Sequence, residues 1–519
     1  MAGSCMLTFV RKHRLLLMAS FGVAFLLIMY VEVVAYGITV SVRKDIHAQE
    51  CSHNSNGKTN RAKVLILGAG AAGMSAAKEL TKNGLTEFLI IEGSNRVGGR
   101  LKSVQFGGKT VEVGANWMML REDRNPLWQT IQKYNTSGRK LDGNDVLIRY
   151  MNGEDVTATA GTKAWEKLSI AKKKLSEMTT RVRNGVQSDM SIRACLDLGK
   201  WEPVTAVDKV VEIFEYDFQY GNTPDVSSCL SDGILQQYID DMFYVADKNG
   251  FESVIRNIAC EVLEENDERL ILNEVVRSIN YTDCGVIVET ASGNIYTAEL
   301  ALLTFSLGVL KSGSVIFNPV LPDWKVDNLA SVRFENYMSI YLKFPDTPGQ
   351  FWDNTLYILH AHERRGFYPV WINHNSHAMS IKGTNILQLV TFGEEANRLS
   401  NIDDAEIIKE VMEVLRQVYS KENVSEPVDV LITRWKTDPL YQGSFANVEP
   451  GISKAAFSAI RAPVGRLFFA GDAYSEFDGY VVGSAISGVE NARWILRTLS
   501  DGTDAGSVDG IKSATHTSL

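Results

Sequence analysis

The residues best placed by type and spacing to do chemistry are Gly68, Gly70 and Gly73 of Gly68-Ala69-Gly70-Ala71-Ala72-Gly73, with Glu92 nineteen residues beyond the last glycine. In such a run the first glycine permits a tight turn, the second lets backbone approach a diphosphate, and the third lets a helix pack on its strand. The N–H groups around Ala72, at the start of that helix, then face the phosphates. Glu92 stands where a carboxylate accepts from both ribose hydroxyls. The chemistry is dinucleotide binding, a fingerprint shared by nicotinamide and flavin enzymes. No metal site is expected: the eight histidines are scattered, and His360 and His362 lack acidic or cysteine company.

The residues that follow arbitrate between the two cofactors. Arg96-Val97-Gly98-Gly99-Arg100 comes soon after Glu92, and Gly114-Ala115-Asn116-Trp117 comes next. The first resembles the second flavin motif of the amine oxidase and phytoene desaturase superfamily, and the second resembles that superfamily's next segment. Further phrases run in order to the C-terminus: Leu272-Asn273-Glu274-Val275-Val276, Ser306-Leu307-Gly308-Val309-Leu310, Arg434-Trp435, Tyr441-Gln442-Gly443-Ser444-Phe445, Gly465 to Asp472, and Gly479-Tyr480-Val481. Over roughly residues 61 to 500 the chain resembles the flavin-containing amine oxidases. The branch most resembled is the plant-type polyamine oxidases, through phrases such as Phe214-Glu215-Tyr216-Asp217-Phe218 and Arg364-Arg365-Gly366-Phe367-Tyr368.

The resemblance implies FAD rather than NAD. It puts Arg100 at the diphosphate, Gly114, Ala115, Asn116 and Trp117 beside the flavin, and the Val276 backbone at the adenine. Gly471 and Asp472 fall in the flavin-capping element, with the acid on the ribityl chain, and the helix after Val481 faces the pyrimidine end of the ring. The family normally has Glu at the Asp472 position, and this chain is one residue shorter between it and Tyr480.

An amine oxidase of this kind passes hydride from the carbon beside a neutral amine to flavin N5, and its side chains orient that carbon and exclude water. By position Phe445 and Tyr480 match the pair that sandwiches the substrate nitrogen, and Trp435 and Tyr337 match other aromatics near the ring. Three positions depart from the pattern. The family lysine that holds a water near N5 is replaced by Ser339, which predicts slow reaction with oxygen, an altered acceptor or a different chemistry. Met119 and Tyr220 stand where the plant enzymes place acids that draw polyamine nitrogens. A less charged or more apolar amine is the substrate expected, with Glu122, Asp123 and Asp217 as nearby acids that could substitute.

The elements that must position these residues follow from local patterns. Lys63–Leu67 reads as a buried parallel strand leading into a helix over Met74–Asn83, and Phe88–Ile91 reads as a second strand. The fold class expected is α/β: a two-lobed, Rossmann-like FAD-binding domain with an interleaved α+β substrate domain. The FAD-binding pieces are residues 61 to 130, 256 to 325 and 441 to 500. The substrate domain takes 131 to 255, read as helical over Trp165–Val182 and Ala206–Phe218, and 326 to 440, where strands Tyr337–Phe344 and Ile386–Phe392 precede a helix over Asp404–Tyr419. Residues 1 to 60 are a targeting segment and linker, and 501 to 519 a polar tail.

At 519 residues the chain exceeds what one hydrophobic core usually serves. Its net charge of -9 argues against a nucleic-acid partner. The six cysteines form no CxxC pair, so they signal neither a zinc site nor a dense disulfide framework and leave one or two disulfides open. A basic stretch, Arg11 to Arg14, precedes the apolar run Leu15–Val31, which reads either as a signal anchor or as a cleaved signal peptide with Ala35-Tyr36-Gly37 near the cut. Sequons at Asn135, Asn280 and Asn423 fit a lumenal or extracellular body, so the secretory pathway, membrane-anchored or secreted, is expected. The leading function is a polyamine oxidase giving aldehyde, amine and hydrogen peroxide, with oxygen as acceptor. The alternatives are an FAD-dependent dehydrogenase or desaturase of a specialised amine, and a weakly active flavoprotein serving as a binding module.

Overall fold

The first strand, Val64–Leu67, is buried at every residue, and that is why its sequence is four apolar residues in succession. It lies in the middle of a five-stranded parallel sheet in the order Leu270–Ile271, Phe88–Ile91, Val64–Leu67, Leu300–Leu303, Leu467–Phe469. A computed structural model describes residues 60–119, 125–236, 242–347, 349–379 and 383–501. The N-terminal apolar run, the polar tail beyond residue 501, and Glu122 and Asp123 lie outside the described residues. Among the described residues no helix is long and apolar enough to cross a membrane, and no cluster of metal ligands exists.

Two helices cover the parallel sheet. Ala71–Lys82 begins three residues earlier than its periodicity suggests, because the glycine turn feeds straight into it, with Gly70 as N-cap. Val481–Asp501 crosses it so closely that a Cβ on Gly488 would lie 2.1 Å from the Ala72 carbonyl oxygen. A second five-stranded sheet runs in the order Asn60–Arg61, Ile295–Ala298, Gly285–Thr290, Val276–Thr282, Ile316–Asn318. Gly285–Thr290 pairs antiparallel with Val276–Thr282 on one side and Ile295–Ala298 on the other. Its partner Val276–Thr282 went unread because its outward residues are polar and only alternate positions are buried. The stretch Leu300–Leu310 divides into a buried strand and a helix, Leu307–Ser312, capped by the Ser306 side chain.

A six-stranded sheet faces the flavin-motif region: Asp429–Ile432, Tyr337–Lys343, Ile386–Phe392, Val370–Asn373, Tyr357–Ala361 and Val146–Tyr150, in that order. The helical insertion contains Thr162–Arg183 and Ala206–Glu212, and the latter runs into a π-helical turn, Ile213–Asp217. The helix expected over Asp404–Tyr419 spans Asp404–Val418, with Asp403 capping it through Glu406 N. Cys195, Cys229 and Cys260 carry free thiols, and Cys284 is disulfide-bonded.

Candidate active site

One large cavity of about 1400 Å³ joins the glycine turn to the six-stranded sheet. Gly68, Gly70 and Ala72 line one end of it. Gly68 has φ +123°, and a Cβ there would lie 2.3 Å from Thr304 Oγ1, which itself donates to the Leu67 carbonyl at 2.9 Å. At Gly70 an added Cβ would meet nothing nearer than the Gly99 Cα at 3.9 Å, so that backbone stands open to the cavity. Gly73 does not line the cavity. A Cβ on it would lie 2.0 Å from the Gly68 carbonyl oxygen, so its part is to let the helix close on the turn.

Glu92 also faces the cavity, at the end of its strand. Its two oxygens accept from Ala69 N at 2.7 Å and Ser94 N at 2.9 Å. A carboxylate has lone pairs beyond these two, so Glu92 is oriented by backbone and still able to accept from a ribose. Val276 and Glu274 line the same end.

Arg100 and Asp472 meet at the middle of the cavity. Arg100 Nη1 and Nη2 donate to the Asp472 carboxylate at 2.8 and 2.6 Å, and Nη1 also donates to the Ser444 carbonyl at 2.8 Å. Asp472 accepts a further hydrogen bond from Ala446 N at 2.9 Å. Burial pushes its pKa up, but the Arg100 charge and these hydrogen bonds outweigh that and hold it below the ordinary carboxylate range. The two residues read separately as diphosphate and ribityl contacts are thus one unit. Arg96, which lay unassigned in the same motif, braces the loop by donating to the Gly99 and Leu101 carbonyls at 2.6 and 2.9 Å and pairing with Glu252 at 3.0 Å.

Gly114, Ala115, Asn116, Trp117, Gly471, Tyr480 and Val481 line the stretch beyond. Trp435, Tyr337, Ser339 and Phe445 complete the far end. Trp435 is fixed by donating from Nε1 to the Val113 carbonyl at 3.0 Å. Phe445 and Tyr337 have ring centroids 5.7 Å apart, and Tyr480 Oη reaches Gln219 Oε1 at 3.3 Å. Burial drives the Tyr337 and Tyr480 phenols well above their ordinary range, so both rings are neutral walls.

Several lining residues were not singled out by sequence. Phe214 and Phe218 stack at 5.5 Å, and Phe218 lies 6.3 Å from Tyr337, which extends the aromatic wall outward from Phe445. Phe214 sits in the π-helical turn and Phe218 directly after it; such turns are over-represented at functional sites and invisible to a 3.6-residue periodicity. Of the positions where acids were missing, Met119 is buried, and Tyr220 is buried with its hydroxyl on Asp232 at 2.9 Å. Asp217 is no substitute acid, because it is buried against Arg365 at 2.6 Å and does not line the cavity. Glu215 does line it, paired with Lys172.

The residues present fit FAD. The open backbone at Gly70, an oriented acid at Glu92 and a cavity above the roughly 300–1,000 Å³ of ordinary small-molecule sites together accommodate a dinucleotide with a substrate beside it. When bound, FAD supplies the hydride acceptor.

Residues 71–496 match the family model described as flavin containing amine oxidoreductase. The chain is 34% identical to polyamine oxidase 7 of Oryza sativa subsp. japonica, across 83% of this chain and 94% of that protein. It is 32% identical to polyamine oxidase 1 of Zea mays, across 86% and 92%. Among solved structures, wild-type putrescine oxidase bound to putrescine superposes with a TM-score of 0.64 at 18% identity, covering 84% of this chain and 99% of that one, which speaks to the fold. The chain belongs to the flavin containing amine oxidoreductases and is an FAD-dependent oxidoreductase acting on CH–NH groups.

Proposed function

We propose that the protein is a polyamine oxidase-type enzyme, which oxidises a polyamine or related secondary amine at the carbon beside nitrogen and passes the electrons to oxygen, giving aldehyde, amine and hydrogen peroxide. The observation that carries this reading is the single cavity in which the dinucleotide residues at one end meet Phe445, Tyr480, Trp435, Tyr337 and Ser339 at the other. Neutral aromatic walls hold an amine by their apolar faces and attract its cationic form on the way in. They also exclude the water that would compete at the reacting carbon. The plant relatives named polyamine oxidases support the substrate class.

An amine carrying less charge than a full polycation is favoured by the two positions where acids were expected, since Met119 and Tyr220 there are buried and uncharged. Glu215 is already paired with Lys172. Asp478 lines the cavity with its pKa pushed up to about 6 by burial, which leaves it largely ionised at neutral pH and able to attract one cationic nitrogen. The resemblance favours a second reading, a dehydrogenase using another acceptor, because Ser339 matches the family lysine and is set between the uncharged Gln388 and Tyr341. Aerobic turnover of spermine, spermidine and N-acetylated polyamines, with peroxide and aldehyde both quantified, tests the proposal. Stoichiometric peroxide supports it, and aldehyde formed with an artificial acceptor but not with oxygen selects the dehydrogenase.

The secretory route is proposed on separate grounds. The basic-flanked apolar run supports it, as do exposed sequons at Asn135 and Asn423 and a disulfide at Cys284, a bond favoured in oxidising compartments. Endoglycosidase sensitivity of the protein from its own cells is the corresponding test.

A further inference from the structure

Ser339 lies within a chain of hydrogen bonds whose direction is fixed by a buried histidine. His374 Nε2 lies 2.8 Å from Gln388 Oε1, while His374 Nδ1 is buried without a partner among the described residues. A buried N–H without an acceptor is rarer than a bare acceptor, so the ring proton sits on Nε2 and is donated to Gln388. Burial holds the ring's pKa down to about 4, which keeps His374 neutral at neutral pH. Gln388 Nε2 then donates to Ser339 Oγ at 3.0 Å. The Tyr341 phenol, two residues along the same strand face, lies by the Ser339 hydroxyl and itself donates to the Glu112 carbonyl at 2.6 Å. All the protons therefore point from His374 toward Glu112.

A serine oxygen has two lone pairs. One is taken by Gln388, and the other is left to the cavity, which Ser339, Gln388 and Tyr341 all line. We propose that Ser339 Oγ accepts an N–H of the neutral substrate amine, with Gln388 and His374 as positioning residues that fix its polarity. This rests on the amine-oxidation reading above. An acceptor at this point engages the nitrogen through its hydrogen and leaves the nitrogen lone pair free. That lone pair is what assists departure of hydride from the adjacent carbon, so a donor here would oppose the reaction and an acceptor orients it.

The test is anaerobic stopped-flow reduction of the full-length, FAD-loaded protein by spermine, spermidine, an N-acetylated polyamine and a monoamine, in wild type, Ser339→Ala, Ser339→Thr, Gln388→Leu and the Ser339→Ala/Gln388→Leu double variant. Ser339→Ala is expected to weaken amine binding or slow reduction roughly 3- to 10-fold, the size of one neutral hydrogen bond, while Ser339→Thr restores it. Gln388→Leu should do the same, and the double variant should be no worse than either single, since coupled residues are not additive. FAD content and reoxidation of photoreduced flavin by oxygen should stay at the wild-type level, which a merely structural role would not preserve. Wild-type reduction by Ser339→Ala overturns the proposal alone. No reduction of wild type by any amine overturns the amine-oxidation reading and this proposal with it. If Gln388→Leu does not fold, the Ser339→Ala and Ser339→Thr pair decides.

Discussion

Arg100 and Asp472 come from opposite ends of the sequence and form one bidentate ion pair, with both guanidinium nitrogens on both carboxylate oxygens at 2.8 and 2.6 Å. Asp472 is the more deeply buried partner. The pair ties the RxGGR loop to the C-terminal capping element, so each cofactor-facing segment is held by the other. Bidentate geometry supplies orientation as well as energy.

Removing one partner of a buried pair leaves the other uncompensated, at a cost of about 3 kcal/mol. Asp472→Asn is therefore expected to purify with less FAD per chain and to melt at lower temperature. The flavin-to-protein absorbance ratio and a melting curve check this. A variant indistinguishable from wild type in both would show that the two segments are held by other contacts.

The glycines of the turn should separate by role. Gly68→Ala places a Cβ 2.3 Å from Thr304 Oγ1 at φ +123° and is expected to abolish soluble holoprotein. Gly70→Ala meets nothing closer than 3.9 Å and is expected to fold, with FAD affinity reduced because the methyl occupies cavity space. Circular dichroism and FAD titration of the two variants distinguish these outcomes.

Phe445→Ala should keep FAD but slow anaerobic reduction on the order of 10- to 100-fold, the scale of misplacing a reacting carbon by about 1 Å. Tyr480→Phe keeps the ring and loses only the hydroxyl contact to Gln219, so its effect should stay within about 10-fold. Equal losses in both variants would mean that the Tyr480 hydroxyl, rather than the aromatic wall, does the orienting.

Glu112 lines the cavity with its pKa raised from 4.5 to about 7 by burial, with the Glu252 charge adding to the rise, despite hydrogen bonds from Phe251 N and Ser103 and the nearby Arg256 charge. Because the folded value lies above the unfolded one, its contribution to stability is complete below about pH 4.5 and is lost as pH rises through about 7. Wild type minus Glu112→Gln should therefore fall by about 3 kcal/mol across that window. His360 and His374, both depressed to about 4, act in the opposite sense between pH 4 and 6.5, so the variant must be subtracted to isolate Glu112. Parallel melting temperature profiles against pH would contradict the assignment.

The nucleotide end was legible in the sequence because its chemistry is local: a buried apolar strand, three glycines and an acid lie within one βαβ unit. The same holds for Ile386–Phe392 and Asp404–Val418, where periodicity alone fixes the element. The far end was not legible from periodicity, since Phe445, Tyr480 and Ser339 come together only through the pairing of distant segments, and resemblance had to supply them. Gln388 escaped notice as one polar residue in an apolar strand, and His374 as a lone histidine after another. Their meaning depends on strand register, with Gln388 opposite Tyr341 and diagonal to Ser339. Arg100 and Asp472 were both legible as residues, but not as partners.

The most direct measurement of the central claim is the absorbance of the bound flavin when purified protein is mixed without oxygen with spermine, spermidine, an N-acetylated polyamine or a monoamine. Bleaching of the oxidised flavin band by at least one of these amines, saturating with amine concentration, is the predicted result. A fully FAD-loaded protein whose flavin none of them reduces would contradict it.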